Sequence, residues 1–389
     1  MAERAPKARI YLDYQASTPV DPAVAAAMVP FYSEHPGNPH ADHAYGWDAG
    51  KGVSRAASNI ASTISCDPDE LIFTSGATEA NNLAFLGLID HAPKGRTRIL
   101  ISAVEHKCVI ESARAAARRL GGAVEFLPVD ASGILSPGTL EQAMDERVLI
   151  VSAMTVNNEL GSLFPIDQLA ETVHRFGALF HTDAAQALTA GPVDVSTSNV
   201  DLLSLSGHKV YGPKGIGVLY AARDVQPQMQ PIIYGGGQQS GLRSGTLPVP
   251  LCVGMGCATK MFTSADWPLE RTRTAALRDA LAEGLLGLDP SFLLNGPALD
   301  SRHPGNLNIR FTGLDAREIL SAVQPMLAAS TGSACTSGEP LASHVLRAAG
   351  LSEEDANASL RFGVGRFTTE NDIVLAVSFI EEAIRTIRQ

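Results

Sequence analysis

Between about residues 70 and 222, short β-rich apolar runs alternate with stretches of helical periodicity. ELIFTS (70–75), RILISAVE (98–105) and RVLIVSAM (147–154) read as strands, and ALFHTDAA, DLLSLS and GIGVLYAA follow as three more. The intervening ATEANNLAFLGLID, CVIESARAAARRL and DQLAETVHRFG read as helices, the second stopped by Gly121-Gly122. Strands that are continuously apolar and separated by helices predict a mostly parallel sheet covered on both faces. In such α/β sheets, ligands sit beyond the carboxyl ends of the strands. TSGAT, VEH, NNE, TDAAQ and SGHK all fall there, so five polar motifs converge on one edge.

After about residue 250 the pattern changes. A helical stretch beginning CVGMGCATKMF leads to NLNIRF, REILSAV and a terminal helix, DIVLAVSFIEEAIRTIRQ. This predicts a smaller α+β domain completed by the N-terminal segment, with residues 14–255 forming the large domain and 1–13 with 256–389 the small one. The 389 residues are enough for two such cores.

A net charge of −11 gives no general attraction to nucleic acid, and direct nucleic-acid binding is not expected. No apolar run approaches the roughly 20 residues that cross a bilayer, so no membrane partner is expected. The N-terminus lacks a signal-like apolar core, and the 5 cysteines form no CxxC pair. Both features predict reduced thiols and a cytoplasmic protein.

Each polar motif has a plain reading beside a chemical one. In TSGATEANN, Thr78 lies where a strand turns into a helix; this is either an ordinary cap or an anion site. Neither GxGxxG nor GxxxxGK[ST] occurs, which weakens nucleotide readings. Asp183 in HTDAAQ needs a cationic partner if buried, either an arginine or a protonated ring nitrogen. Lys209 in SLSGHKVYGPKGIG is either a solvated loop lysine or one that condenses with an aldehyde. His106 is either a core histidine or a ring that stacks on a cofactor and exchanges protons. Pyridoxal 5'-phosphate needs an anion site, an acid for its ring nitrogen and a lysine for its aldehyde, and all three stand at the same edge. Cys335, among small and turn-forming residues, reads as an accessible thiol, whereas Cys66, Cys108, Cys252 and Cys257 read as buried and inert. His40 and His43 lack further ligands at metal-site spacing, so no metal is expected.

YLDYQASTPVDP, GNPHADHAYG, FTSGATEANN, VEHK, VNNELG, TDAAQ, SGHKVYGPKGIG, RSGTLPV, GSACTSG and RFGVGRFTTE occur in that order. The set resembles the cysteine desulfurases, fold-type-I pyridoxal-phosphate enzymes of the class-V aminotransferase group, over nearly the full chain. The resemblance implies that Lys209 holds the cofactor's aldehyde and Asp183 pairs with its ring nitrogen. Gln186 and Asn158 would contact the phenolic oxygen, and Thr78, Ser206 and His208 the phosphate. Thr246 would reach the cofactor of a neighbouring subunit, which implies a homodimer. His106 would stack on the ring, Arg361 would clamp the substrate carboxylate, and Asn38 would help orient the substrate.

The implied reaction converts L-cysteine to L-alanine, with sulfur captured as a persulfide on Cys335. A sulfur-acceptor protein would follow, in iron–sulfur cluster assembly, tRNA thiolation or DNA phosphorothioation. His40 stands where the resembled family commonly has serine. A selenocysteine lyase or a transaminase of the same fold is the competing enzyme reading, and a catalytically lost interaction protein the competing non-enzyme reading. Cys335 speaks against a transaminase, which needs no loop thiol.

Overall fold

The computed structural model describes residues 9–332 and 342–389. Cys335 therefore lies outside the described residues. Twelve strands are present among them: β1 (Ile10–Tyr11), β2 (Leu71–Thr74), β3 (Arg98–Ser102), β4 (Ala123–Leu127), β5 (Val148–Ser152), β6 (Leu179–Asp183), β7 (Leu202–Ser206), β8 (Gly217–Ala221), β9 (Leu293–Leu294), β10 (Asn306–Arg310), β11 (Leu327–Ala328) and β12 (Ser359–Gly363).

Seven of them form one sheet in the order β2-β8-β7-β6-β5-β3-β4. β3 to β7 pair in parallel, whereas β8 is antiparallel to both of its neighbours. Strands β2, β5, β7 and β8 are buried at every position, as expected for a sheet sandwiched between helices. β4 is the strand that periodicity overlooks. It lies on the sheet edge with Ala123 and Glu125-Phe126 less covered, so its sequence AVEFL never becomes a continuous apolar run.

Because β8 reverses direction, β7 and β8 are joined at the carboxyl edge by residues 207–216 rather than by a crossover helix. This connection is the glycine-rich loop that carries Lys209. Gly207 is required there, since a Cβ would lie 2.7 Å from both the Pro213 carbonyl oxygen and Ile216 Cγ2. Tyr211 holds a left-handed φ of 62°, which costs a bulky residue energy and persists only under surrounding restraint. The restraint comes from the N-terminal segment. Thr18 Oγ1 accepts the Tyr211 N–H at 2.7 Å, Thr18 N–H donates to the His208 carbonyl at 2.8 Å, and Asp21 N–H donates to the Tyr211 carbonyl at 3.0 Å.

Apolar side chains separate into clusters. One covers the sheet face that includes Leu100, Val151, Phe180, Leu205 and Val218, and Val345 and Leu346 pack into it. Another covers the opposite face, around Ile99, Ile101, Leu202 and Leu219. A separate cluster joins Ile10 and Leu12 to Leu281, Leu307, Phe311, Leu360, Phe362 and Ile380. The stretch after residue 250 is two helices, Val249–Lys260 and Trp267–Leu286, because Pro268 begins the second one. β9, β10 and β12 form a small antiparallel sheet, and β1 pairs in parallel with β11.

Candidate active site

A cavity of about 590 Å³ opens beyond the carboxyl ends of the main sheet. Thr78, His106, Asn158, Asp183, Gln186, Ser206, His208, Lys209 and Arg361 all line it. The structure thus brings together nine of the residues singled out from sequence. Asn38 and Thr246 are exposed and do not line it. Asn38 instead accepts the His40 N–H on its side-chain oxygen at 3.0 Å.

Asp183 ends β6 and is 6% exposed. Its two oxygens are separately held: Oδ1 accepts the Ala185 N–H at 3.0 Å, and Oδ2 accepts Asn81 Nδ2 at 2.9 Å. Asn81 is fully buried on the helix Ala77–Leu86. Two donors fix the carboxylate in place, and no ion pair to it is formed among the described residues. A cation at the cavity floor would complete it.

His106 follows β3 in the connection to the helix Lys107–Leu120 and caps that helix, with Nδ1 accepting the Cys108 N–H at 3.3 Å. Cys108 Sγ lies 2.9 Å from the same nitrogen. With Nδ1 committed as acceptor, the neutral ring carries its proton on Nε2. Burial lowers the pKa of His106, opposed by the negative charge of Asp183, while Lys209 lowers it further. Burial also pushes the Cys108 thiol up to about 12, so it is no nucleophile at neutral pH.

Lys209 Nζ donates to the main-chain carbonyls of Gln15 and, at 3.0 Å, Ala16. The Gln15 carbonyl also accepts Gln186 Nε2 at 2.8 Å. One turn of the N-terminal segment therefore fixes two cavity side chains. His208 is pushed down to about 4 by burial and by Lys209 and Lys214, so its ring is neutral near pH 7. Its Nδ1 lies 3.2 Å from Ser17 Oγ.

Arg361, on β12, is 2% exposed and paired with Asp13 at 2.9 Å. Ser330 Oγ donates to the other Asp13 oxygen at 3.0 Å, and Arg361 donates to the Asn158 carbonyl at 3.3 Å. Its Nε is buried with no hydrogen-bond partner among the described residues. The sequence reading missed Asn81, Gln15, Asp13 and Glu105. YLDYQAST and FTSGATEANN contained three of them, and VEHK the fourth, but no spacing linked them to the sheet edge.

These residues fit pyridoxal phosphate. Ser75 and Gly76 precede the helix Ala77–Leu86, Gly76 has φ +150°, and a Cβ there would meet nothing within 4 Å. Unpaired N–H groups of that helix end, with Thr78, Ser206 and His208 beside it, make an anion cradle. Asp183 and Lys209 supply the carboxylate and amine at the same cavity. The class is set by a family model for class-V aminotransferases, which matches residues 10–375.

Relatives narrow that class. A mitochondrial cysteine desulfurase of Eremothecium gossypii is 44% identical, over 98% of this chain and 77% of its own length. A solved NifS-like protein superposes with a TM-score of 0.90 at 30% identity, over 97% of this chain and all of its own. A structure described as SspA in complex with cysteine gives a TM-score of 0.81 at 35% identity, covering 92% of this chain and 100% of its own. This chain belongs to the cysteine desulfurase family. No helix among the described residues is long and apolar enough to cross a membrane, and no three described His, Cys, Asp or Glu side chains cluster to hold a metal.

Proposed function

We propose that the protein is a pyridoxal-phosphate-dependent cysteine desulfurase that takes sulfur from L-cysteine and releases L-alanine. The observation that carries this reading is the meeting of Lys209, Asp183 and His106 in one cavity, in a chain of this family. Bound there, pyridoxal phosphate would supply an electron-withdrawing ring that stabilises negative charge on the substrate α-carbon. Thr78, Ser206 and His208 would hold its phosphate, Gln186 and Asn158 its phenolic oxygen, and Asp183 the proton on its ring nitrogen.

Arg361 receives the substrate carboxylate through a guanidinium suited to two parallel hydrogen bonds. Asp13 keeps that guanidinium in register and leaves Nε unspent. Lys209 Nζ removes the α-proton, and the Gln15 and Ala16 carbonyls receive its N–H groups when it is protonated. His106 carries a proton on Nε2 and exchanges it at the substrate side of the cavity. Cys335, as thiolate, attacks the cysteine sulfur. A sulfur–sulfur bond forms as the substrate carbon–sulfur bond breaks, and proton return to the carbon skeleton gives alanine. The persulfide then passes to an acceptor protein, for iron–sulfur cluster assembly, tRNA thiolation or DNA phosphorothioation.

Residues 14–255 form the large domain in this reading, and 1–13 with 256–389 the small one. The shared cluster of Ile10 and Leu12 with the C-terminal helices supports that division. The exposure of Thr246 agrees with a role across a homodimer interface, its hydroxyl reaching the partner's phosphate. In this reading the protein works in the cytoplasm.

The test is to supply L-cysteine to purified protein loaded with pyridoxal phosphate. Alanine and enzyme-bound sulfur should form in equal amounts. Lys209→Ala should abolish both, together with the absorbance that borohydride removes from the wild type. Pyruvate in place of alanine would overturn the reading.

A further inference from the structure

Glu105 is the residue just before His106, and the reaction above gives it no task. Its carboxyl group is wholly buried, 0% exposed, at the wall of the cavity. Oε1 accepts the Met154 N–H at 2.6 Å. Oε2 has no hydrogen-bond partner among the described residues. No arginine, lysine or histidine forms an ion pair with it among the described residues.

An ionised carboxylate so enclosed needs a cation or two to three N–H donors, and Glu105 has one. Its neighbours make ionisation harder. Asp183, on β6, is near enough to disfavour a charge on Glu105. His106 and Cys108 on the adjoining helix are neutral, Lys209 is turned to the Gln15 and Ala16 carbonyls, and His344 donates Nε2–H to the Glu105 main-chain oxygen at 3.0 Å. Burial first, and the charge of Asp183 second, raise the Glu105 pKa well above the usual carboxylate range.

We propose that Glu105 is a neutral carboxylic acid in the working protein and a positioning residue of the site, holding the Met154 turn with its carbonyl oxygen and keeping its hydroxyl buried in the cavity wall. The inference rests on the cavity being the cofactor site proposed above. As a neutral acid it splits into one acceptor and one donor. The acceptor anchors the turn after β5, which carries Asn158, and Asn157 Nδ2 adds a second tie to the Val104 carbonyl at 3.1 Å. The hydroxyl stays buried in the wall near Asp183, where it adds a dipole and no charge. Asp183 then faces a protonated ring nitrogen without a second charge from Glu105.

The test uses the holoenzyme with bound pyridoxal phosphate. The pH midpoint of its visible absorbance band is compared between wild type and Glu105→Gln. The amide keeps one acceptor and one donor and changes no charge, so the midpoint should stay within about 0.3 pH units. Were Glu105 ionised, the substitution would remove a nearby negative charge and lower the midpoint by about one unit or more, which would overturn the proposal.

Protein with carbon-13 in its glutamate carboxyls gives a second measurement that needs no desulfurase activity. At pH 8 exposed glutamates are ionised, so an isotope-shifted carboxylic-acid carbonyl band in the infrared that is present in wild type and missing in Glu105→Gln reports the buried neutral acid. Absence of that band overturns the proposal even if alanine is formed. Its presence supports the proposal even if cysteine proves not to be the substrate.

Discussion

The fully buried Asn81 donates its side-chain amide to Asp183 at 2.9 Å, across 102 residues of sequence. The bond leaves Asp183 Oδ1 to the Ala185 N–H and fixes the carboxylate plane against the cavity. Asn81→Ala should remove a hydrogen bond to a charged group, a change of about 2 kcal/mol. Pyridoxal-phosphate affinity should fall by about thirtyfold. Spectrophotometric titration of cofactor-free protein checks this, and unaltered affinity would show that Asp183 is held without Asn81.

Asp13 reads as a positioning residue for Arg361. Replacing it with asparagine removes the charge partner of a guanidinium that is 2% exposed. KM for L-cysteine should rise by about tenfold or more, a larger change than any fall in kcat, because the lost alignment acts on carboxylate binding. Steady-state kinetics with alanine detection measures both. An unchanged KM would detach Arg361 from substrate binding.

Cys335→Ser should leave cofactor absorbance intact and abolish enzyme-bound persulfide formed from cysteine. Mass spectrometry of the protein after cysteine treatment is the measurement. Wild type should gain one sulfur on the peptide that contains Cys335. Persulfide formation at full level in the variant would remove the proposed nucleophile.

His181 is wholly buried on β6, between the Ser152 and Ser204 hydroxyls at 2.8 and 3.2 Å, and burial pushes it down to about 4. An unfolded histidine titrates near 6.5. Between those values the unfolded chain binds more protons than the folded one, so stability falls as pH drops from 6.5 toward 4. From pH 6.5 to pH 5 the His181 share is about 2 kcal/mol. Denaturant unfolding at both pH values, with His181→Gln for comparison, should show the variant losing less stability by about that amount. Equal losses in the two proteins would contradict the buried neutral imidazole.

Lys209, Asp183 and His106 were legible because each stands just after a readable apolar strand. In a parallel sheet, strand ends share an edge, so chain position alone predicts their convergence. Arg361 and Asn158 came from the ordered motifs, which carry a family's pattern but no distances. Asn81, Asp13 and Gln15 were not legible as partners. Their contacts to Asp183, Arg361 and Lys209 span 102, 348 and 194 residues, and nothing local marks such pairs. Glu105 was hidden for another reason: its burial depends on the packing of β3, β5 and the His344–Ala348 helix together.

The sequence by itself determined the α/β class, the strand-and-helix alternation and the edge where chemistry collects, because hydrophobic periodicity and strand direction are local properties. Only the tertiary structure decided the antiparallel β8 that turns residues 207–216 into a cavity loop, and the N-terminal turn that holds Lys209 through main-chain oxygens. It also decided how these two buried carboxyl groups are partnered. Among the described residues Asp183 receives two N–H donors, whereas Glu105 receives one and no cation. That difference lies in the local supply of N–H groups, which the identity of an acidic residue does not encode.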